Sequence, residues 1–203
     1  MSSIGREPGV ELGEWLGPQV IDAPLCFYGK QYMRQRSPPA CESQRVEDHR
    51  PPRVSGDERA TLTVALQYTR ESIIRKVDGI TDDEARRSPV PTDTSLLWLV
   101  RHLAFAEAIW VIHRFAGREM PPGFGPGVGP DASLAEAIEL YRDIWVEVDA
   151  IIAGAELDQL CAGFDDQANP DLRWVIVHLI EETARHAGHA DVLRELLDGA
   201  TGR

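Results

Sequence analysis

Apolar residues recur with the period of an α-helix in four long segments of the chain, at about 58–77, 94–117, 133–153 and 172–199. Residues three and four positions apart lie on one face of a helix, so this pattern predicts amphipathic helices. The second segment is apolar almost all round, which is typical of a helix buried among others. No segment shows a strong strand-like alternation. We therefore predict an all-α protein, a four-helix bundle.

Polar residues at the expected helix ends support these boundaries. Ser55 or Asp57 can cap the first helix, and Asp171 can cap the fourth. Ser133 is followed three residues later by Glu136, the spacing of a capping box. The helices are therefore predicted from their ends as well as from their apolar faces.

Residues 1–52 have a different composition. Gly, Pro, Arg and Ser are frequent there, and the apolar residues show no sustained period. We expect a mostly irregular, poorly structured N-terminal extension. The predicted domain organisation is this extension at 1–52 and the helical bundle at 53–203.

Composition argues against several classes of function. The formal net charge of the 203 residues is -12, and no run of Lys and Arg provides a basic patch, so we expect no nucleic-acid partner and no anionic membrane surface. No window approaches the roughly 18 consecutive apolar residues of a membrane span. Cys26, Cys41 and Cys161 form neither a CxxC pair nor a disulfide framework. A reducing cytoplasm is the expected location.

The fourth helix carries the densest chemistry in the chain. On an ideal helix, His178, Glu182, His186 and His189 fall within about 80° of one another. Glu182 and His186, four residues apart, can converge on one point. Cation sites inside bundles combine side chains from facing helices, so His102 of the second helix is the expected third ligand.

This residue set favours a mononuclear metal site. Two imidazoles and one carboxylate commonly hold catalytic zinc and leave a position open for water or substrate. Nickel, iron or manganese can occupy the same set. Di-iron bundles use a Glu-x-x-His motif twice, whereas this chain has Glu-x-x-x-His once. His178 and His189 are then candidate catalytic groups that handle protons, or groups that orient the ligands.

A simpler interpretation stays open at this point. A single His in an apolar helix, such as His102, is commonly a hydrogen-bonded core residue. Glu182 and His186 can form a surface ion pair, as we expect of Glu181 and Arg185 at the same spacing. Spacing alone does not separate these interpretations from a metal site.

Three stretches of the sequence carry a family resemblance: LRWVIVHLIEETARHAGHADVLREL, TSLLWLVRHLAFAEAIW and ERATLTVALQYTRESIIRKVDGI. Together they resemble the DinB-like superfamily of metal-binding four-helix bundles, and within it the branch labelled mini-circle protein, over about residues 51–202. The resemblance implies that His102, Glu182 and His186 are the metal ligands. Glu at position 182 resembles the mycothiol-dependent maleylpyruvate isomerases, whose zinc set is His, Glu, His.

The resemblance also implies a function. A mononuclear zinc or nickel protein of this kind would activate a low-molecular-weight thiol, with mycothiol the thiol suggested, for transfer to a small electrophile. A metal-dependent hydrolase using the same centre is one alternative. A non-catalytic bundle, used in stress response or partner binding, is another. Bundles of this kind commonly pair through helix faces, so a homodimer is a further expectation.

Overall fold

The computed structural model describes residues 49–121, 124, 133–163 and 169–201. Most of the expected irregular extension, residues 1–48, lies outside the described residues. His49 lies against the first long helix, since its carbonyl accepts a hydrogen bond of 2.8 Å from the Tyr68 hydroxyl. The boundary after residue 52 stays a prediction.

Across these described ranges the chain is helical and contains no named strand, which confirms the all-α prediction. Four long helical segments and one short helix follow each other along the chain. They are α1 (Glu58–Val77), α2 (Asp82–Arg86), α3 (Leu96–Glu107) continuing into a π-helix (Ala108–Phe115), α4 (Leu134–Gly154) and α5 (Leu172–Asp198). Helix α1 packs along α5, and α3 packs against both α4 and α5.

The predicted caps set the helix ends. Asp57 and Asp171 cap α1 and α5, their side chains accepting from the backbone N–H groups three residues on. Ser133 and Glu136 form the predicted capping box at the start of α4. Helix α5 ends at Gly199, whose φ of 79° is the left-handed conformation that glycine adopts without steric cost. Local side-chain chemistry thus specifies where the helices begin and end.

The second long helix differs from the prediction in one respect. It is predicted as one α-helix to Gly117, but from Ala108 to Phe115 it is a π-helix. Here the backbone bonds span five residues instead of four, as from the Ala116 N–H to the Val111 carbonyl at 3.0 Å. The hydrophobic pattern hides this change, because six of the eight residues are apolar and continue the apolar run of α3.

The core is built around α3 and the π-helix. Their inward side chains are almost completely buried, among them Leu97, Leu103 and Val111, each 0% exposed. By length and composition alone, Leu96–Phe115 could also cross a membrane, and it is the one such helix in the described part of the chain. Of its apolar window, 61% is buried inside the protein, as in the core helix of a bundle.

One buried ion pair joins three helices. Arg70 of α1 and Glu107 at the end of α3 are 1% and 0% exposed, and the guanidinium binds both carboxylate oxygens, at 2.9 and 2.5 Å. A third bond of 2.8 Å reaches Asp149 of α4. Burial alone would lower the pKa of Arg70, but the two carboxylates raise it above its ordinary value. Burial also raises the pKa of Glu107, against the opposing effect of the Arg70 guanidinium, so the charge of the carboxylate depends on its partner.

We expect Glu107→Ala to lower the free energy of unfolding by about 3–5 kcal/mol, because it leaves the buried Arg70 guanidinium without its main partner. Urea unfolding, monitored by circular dichroism, measures the free energy of unfolding of the variant and of the wild type. Glu181→Ala, which removes the exposed pair with Arg185, is the matched control and should cost less than about 1 kcal/mol. Equal effects of the two substitutions would show that the buried pair does not hold the helices together.

Candidate metal centre

The three predicted ligands converge between α3 and α5. Nε2 of His102 and Nε2 of His186 each lie 3.1 Å from the same oxygen, Oε1 of Glu182. One ligand atom from each residue lies within 4.8 Å of the other two. His102 comes from the facing helix, as the sequence predicts, so the structure brings all three residues to one place.

Their spacing fits a divalent cation. Zinc bound by nitrogen and oxygen at roughly 2.0–2.2 Å in a tetrahedron separates neighbouring ligand atoms by about 3.3 Å. The two 3.1 Å separations at Glu182 are close to that value. Two imidazoles and one carboxylate also leave further coordination positions for water or substrate. The residues present are therefore suited to hold such an ion.

Glu182 is the electrostatic centre of the cluster. Hydrogen bonds from His102 and then from His186 hold the pKa of its carboxyl well below the usual range, outweighing partial burial. The three side chains are 21%, 17% and 12% exposed for His102, Glu182 and His186. The carboxylate is therefore charged at neutral pH and largely buried. The neighbouring Glu181 pairs with Arg185, which confirms the predicted surface ion pair.

His102 is held by an aromatic neighbour. The Trp98 ring, one turn earlier in α3, stacks on the imidazole with centroids 4.7 Å apart and planes 9° apart. The same indole meets His186 edge-on at 6.3 Å. Nδ1 of His102 is buried and has no hydrogen-bond partner among the residues that the structure describes. Packing against Trp98 therefore sets the orientation of this imidazole.

His189 supports His186 from the following turn. Its Nδ1 lies 3.2 Å from Nδ1 of His186, the ring nitrogen that does not face Glu182. Partial desolvation and then the nearby charges of His186 and Arg185 lower the pKa of His189, so this imidazole is neutral at pH 7. A neutral acceptor at that nitrogen can orient His186 and select its tautomer.

His178 occupies a different setting, one helical turn before Glu182. Its ring stacks on Trp174, with centroids 5.2 Å and planes 11° apart, and meets Trp110 edge-on at 4.5 Å. Burial lowers the pKa of His178, so it is uncharged at neutral pH. Sequence reasoning did not find these aromatic neighbours. The available signal was the i, i+4 spacing of Trp174 and His178, on the helix face that carries Glu182.

The described part of the chain offers no reactive cysteine of its own at this site. Cys161 is free but only 3% exposed, and burial raises the pKa of its thiol. A buried thiol with a raised pKa forms little thiolate, the reactive species. A sulfur nucleophile at this centre would therefore come from a bound thiol and not from Cys161.

A helical bundle with two histidines and a glutamate converging between two helices is the architecture implied by the DinB-like resemblance. A family model described as Mycothiol-S-transferase matches residues 61–199, which is more than half of the 203 residues and includes His102, Glu182 and His186. The chain therefore belongs to the mycothiol S-transferase family, which is DinB-like.

Two further comparisons complete this picture. None of the curated proteins compared with the chain matches it. Among solved structures, the chain is similar to the crystal structure of a conserved protein from Enterococcus faecalis, with 16% sequence identity and a TM-score of 0.49. That alignment covers 71% of this chain and 99% of the other.

We expect Cys161 to be unreactive in the folded protein, because burial both excludes reagents and raises the pKa of its thiol. A Cys26→Ser/Cys41→Ser variant isolates this thiol for titration with Ellman's reagent. Native protein should show no prompt reaction, and protein in guanidinium chloride should show one thiol per chain. Prompt reaction of the native protein would mean that Cys161 is accessible.

Proposed function

We propose that this protein is a metal-dependent S-transferase that joins the thiol of mycothiol to a small electrophile. The observation that carries the proposal is the convergence of two imidazole nitrogens on one oxygen of Glu182. Membership of the mycothiol S-transferase family supports the choice of thiol. The buried Cys161 supports an external sulfur nucleophile.

His102, Glu182 and His186 would hold a divalent cation, zinc by the chemistry of this donor set, with nickel, iron or manganese as alternatives. Such a cation stabilises a thiolate at neutral pH and orients its sulfur toward the substrate. The ionised Glu182 adds a negative charge that favours a divalent ion at this point. Trp98 and His189 keep the two imidazoles in place.

His189 is the candidate acceptor of the thiol proton. It is exposed and uncharged at neutral pH, so one of its two ring nitrogens is unprotonated and can receive a proton. In the transfer itself, the thiol loses its proton and its sulfur forms a bond to the electrophilic carbon. The leaving group departs with the electron pair of the broken bond. His178, stacked on Trp174 and edge-on to Trp110, is less accessible to a substrate proton than the exposed His189.

Two broader properties belong to the same proposal. We place the reaction in the cytoplasm, where low-molecular-weight thiols stay reduced. Homodimer formation is proposed through the outer face of α5, where Val192 and Leu196 are 54% and 57% exposed.

We expect protein purified without a metal-affinity tag to contain about one divalent metal per chain, since the residues that the structure describes include one set of three ligands. Inductively coupled plasma mass spectrometry measures this content. His186→Ala should lose the metal, because it removes one of three ligands. His189→Ala should retain the site but weaken metal affinity by about 10–100-fold, as expected for a group that orients a ligand.

His113→Ala is the matched control for these variants. His113 lies on the π-helix that continues α3, but its Nδ1 bonds the Arg118 carbonyl at 2.9 Å, away from the cluster. This control should keep the full metal content. Full metal retention in His186→Ala would contradict the proposed site, as would an equal loss in His113→Ala.

We expect turnover of mycothiol with a panel of small electrophiles, because the site would supply thiolate at neutral pH. Mass spectrometry should detect the S-conjugate, with one thiol consumed per electrophile, and His186→Ala should reduce formation to the uncatalysed rate. Ester or amide cleavage without any thiol would support the metal-dependent hydrolase instead. Metal-loaded protein that turns over neither substrate class would support the non-catalytic bundle.

A further inference from the structure

A second cluster of rings lies beside the candidate metal centre. Trp174 and His178 of α5 stack on each other, and Trp110 of the π-helix packs at 5.4 Å from Trp174 and 4.5 Å from His178. The Arg114 guanidinium lies 4.3 Å from the centroid of the Trp110 ring. We call Trp110, Trp174, His178 and Arg114 the aromatic platform. Its outermost member, Trp174, is 48% exposed.

The platform lies at a defined distance from the metal ligands. His178 and Trp174 precede Glu182 by four and eight residues in the same helix, which places them about 6 and 12 Å away along the helix axis. Trp110 contacts His178 and His102 contacts Glu182, so α3 and the π-helix run antiparallel to α5, and Trp110 meets α5 on the Trp174 side of Glu182. A molecule with one end at Glu182 can therefore reach Trp174 only if it is about 12 Å long.

We propose that the aromatic platform binds the carbohydrate part of the thiol substrate. This inference rests on the proposed function, because it assumes that the sulfur end of the thiol lies at His102, Glu182 and His186. Mycothiol carries its cysteinyl thiol on a glucosamine joined to an inositol, so its sugar rings lie away from the sulfur, as the platform lies away from Glu182.

The side chains of the aromatic platform suit the binding of a sugar ring. The apolar face of a sugar packs on an indole, whereas its hydroxyl groups need polar partners at the edge. Trp174 provides a half-exposed indole, and Arg114 places a guanidinium at the same cluster. His178 is uncharged at neutral pH and extends the flat surface toward Glu182. Its role in this inference is to position the thiol substrate by its flat face.

The direct test uses the glucosaminyl-inositol fragment, which lacks the cysteine and hence the sulfur. Saturation-transfer NMR should detect its binding to the wild-type protein, and Trp174→Ala should weaken that binding by about tenfold. Trp174→Phe should retain most of the affinity, because it keeps an aromatic face. Val146→Ala is the control, an exposed apolar residue of α4, a helix that contributes no residue to the platform. No fragment binding to the wild-type protein overturns the inference, as does equal binding to Trp174→Ala.

Kinetics give a second, independent measurement. Trp174→Ala should raise the KM for mycothiol by about tenfold and leave the KM for N-acetylcysteine, which has no sugar, unchanged. Its metal content should equal that of the wild type. A raised KM for the electrophile with an unchanged KM for mycothiol would assign the platform to the electrophile and overturn the inference.

The fragment test also separates this inference from the metal proposal. His186→Ala should bind the glucosaminyl-inositol fragment as the wild type does, because the platform shares no ligand with the metal centre. Fragment binding by wild-type protein that is isolated without any metal would leave the platform in place and refute only the metal site. Loss of fragment binding in both His186→Ala and Trp174→Ala would overturn the inference that the platform binds the sugar independently of the metal centre.

Discussion

The guanidinium of Arg70 ties α1 to α3 and α4, and the geometry of the site depends on that contact. Its main partner, Glu107, is the last residue of α3, and the π-helix begins at the next position. His102 lies before this point and Trp110 lies after it, so the pair anchors the segment that supplies one wall of the site. Since α5 packs along α1, the same anchor sets the distance between that wall and Glu182.

Helix α5 supplies the other wall as a single uninterrupted element. Its regular rise places Trp174, His178, Glu182 and His186 at successive turns, so that aromatic and ligating groups follow one line. A rigid helix holds such groups more accurately than a loop, because neither their spacing nor their direction can drift. Along this helix, the charged carboxylate of Glu182 and the apolar indole of Trp174 therefore lie two turns apart.

The sequence predicts those features of the molecule that are local in the chain. The caps at Ser133 and Asp171 depend on residues three apart, and the Glu182–His186 pair depends on one helical turn. The pairing with His102 follows only because a bundle brings facing helices together. The burial of Arg70 cannot be predicted from the sequence, since a charged residue in an amphipathic helix normally lies on the surface. The π-helix is equally hidden, because hydrogen bonding changes there without a change in hydrophobicity.

The aromatic platform shows why the rest of the site required the structure. Trp110 and Trp174 are far apart in the chain, and their contact depends on the register between the π-helix and α5. The same register places His178 against the two indoles. Without these contacts, an imidazole one turn from Glu182 would be interpreted as an acid or base. Stacked on Trp174 and edge-on to Trp110, His178 is partly desolvated, and its pKa falls below the usual value. The surroundings of His178 thus argue for binding, whereas its position in the sequence argued for proton transfer.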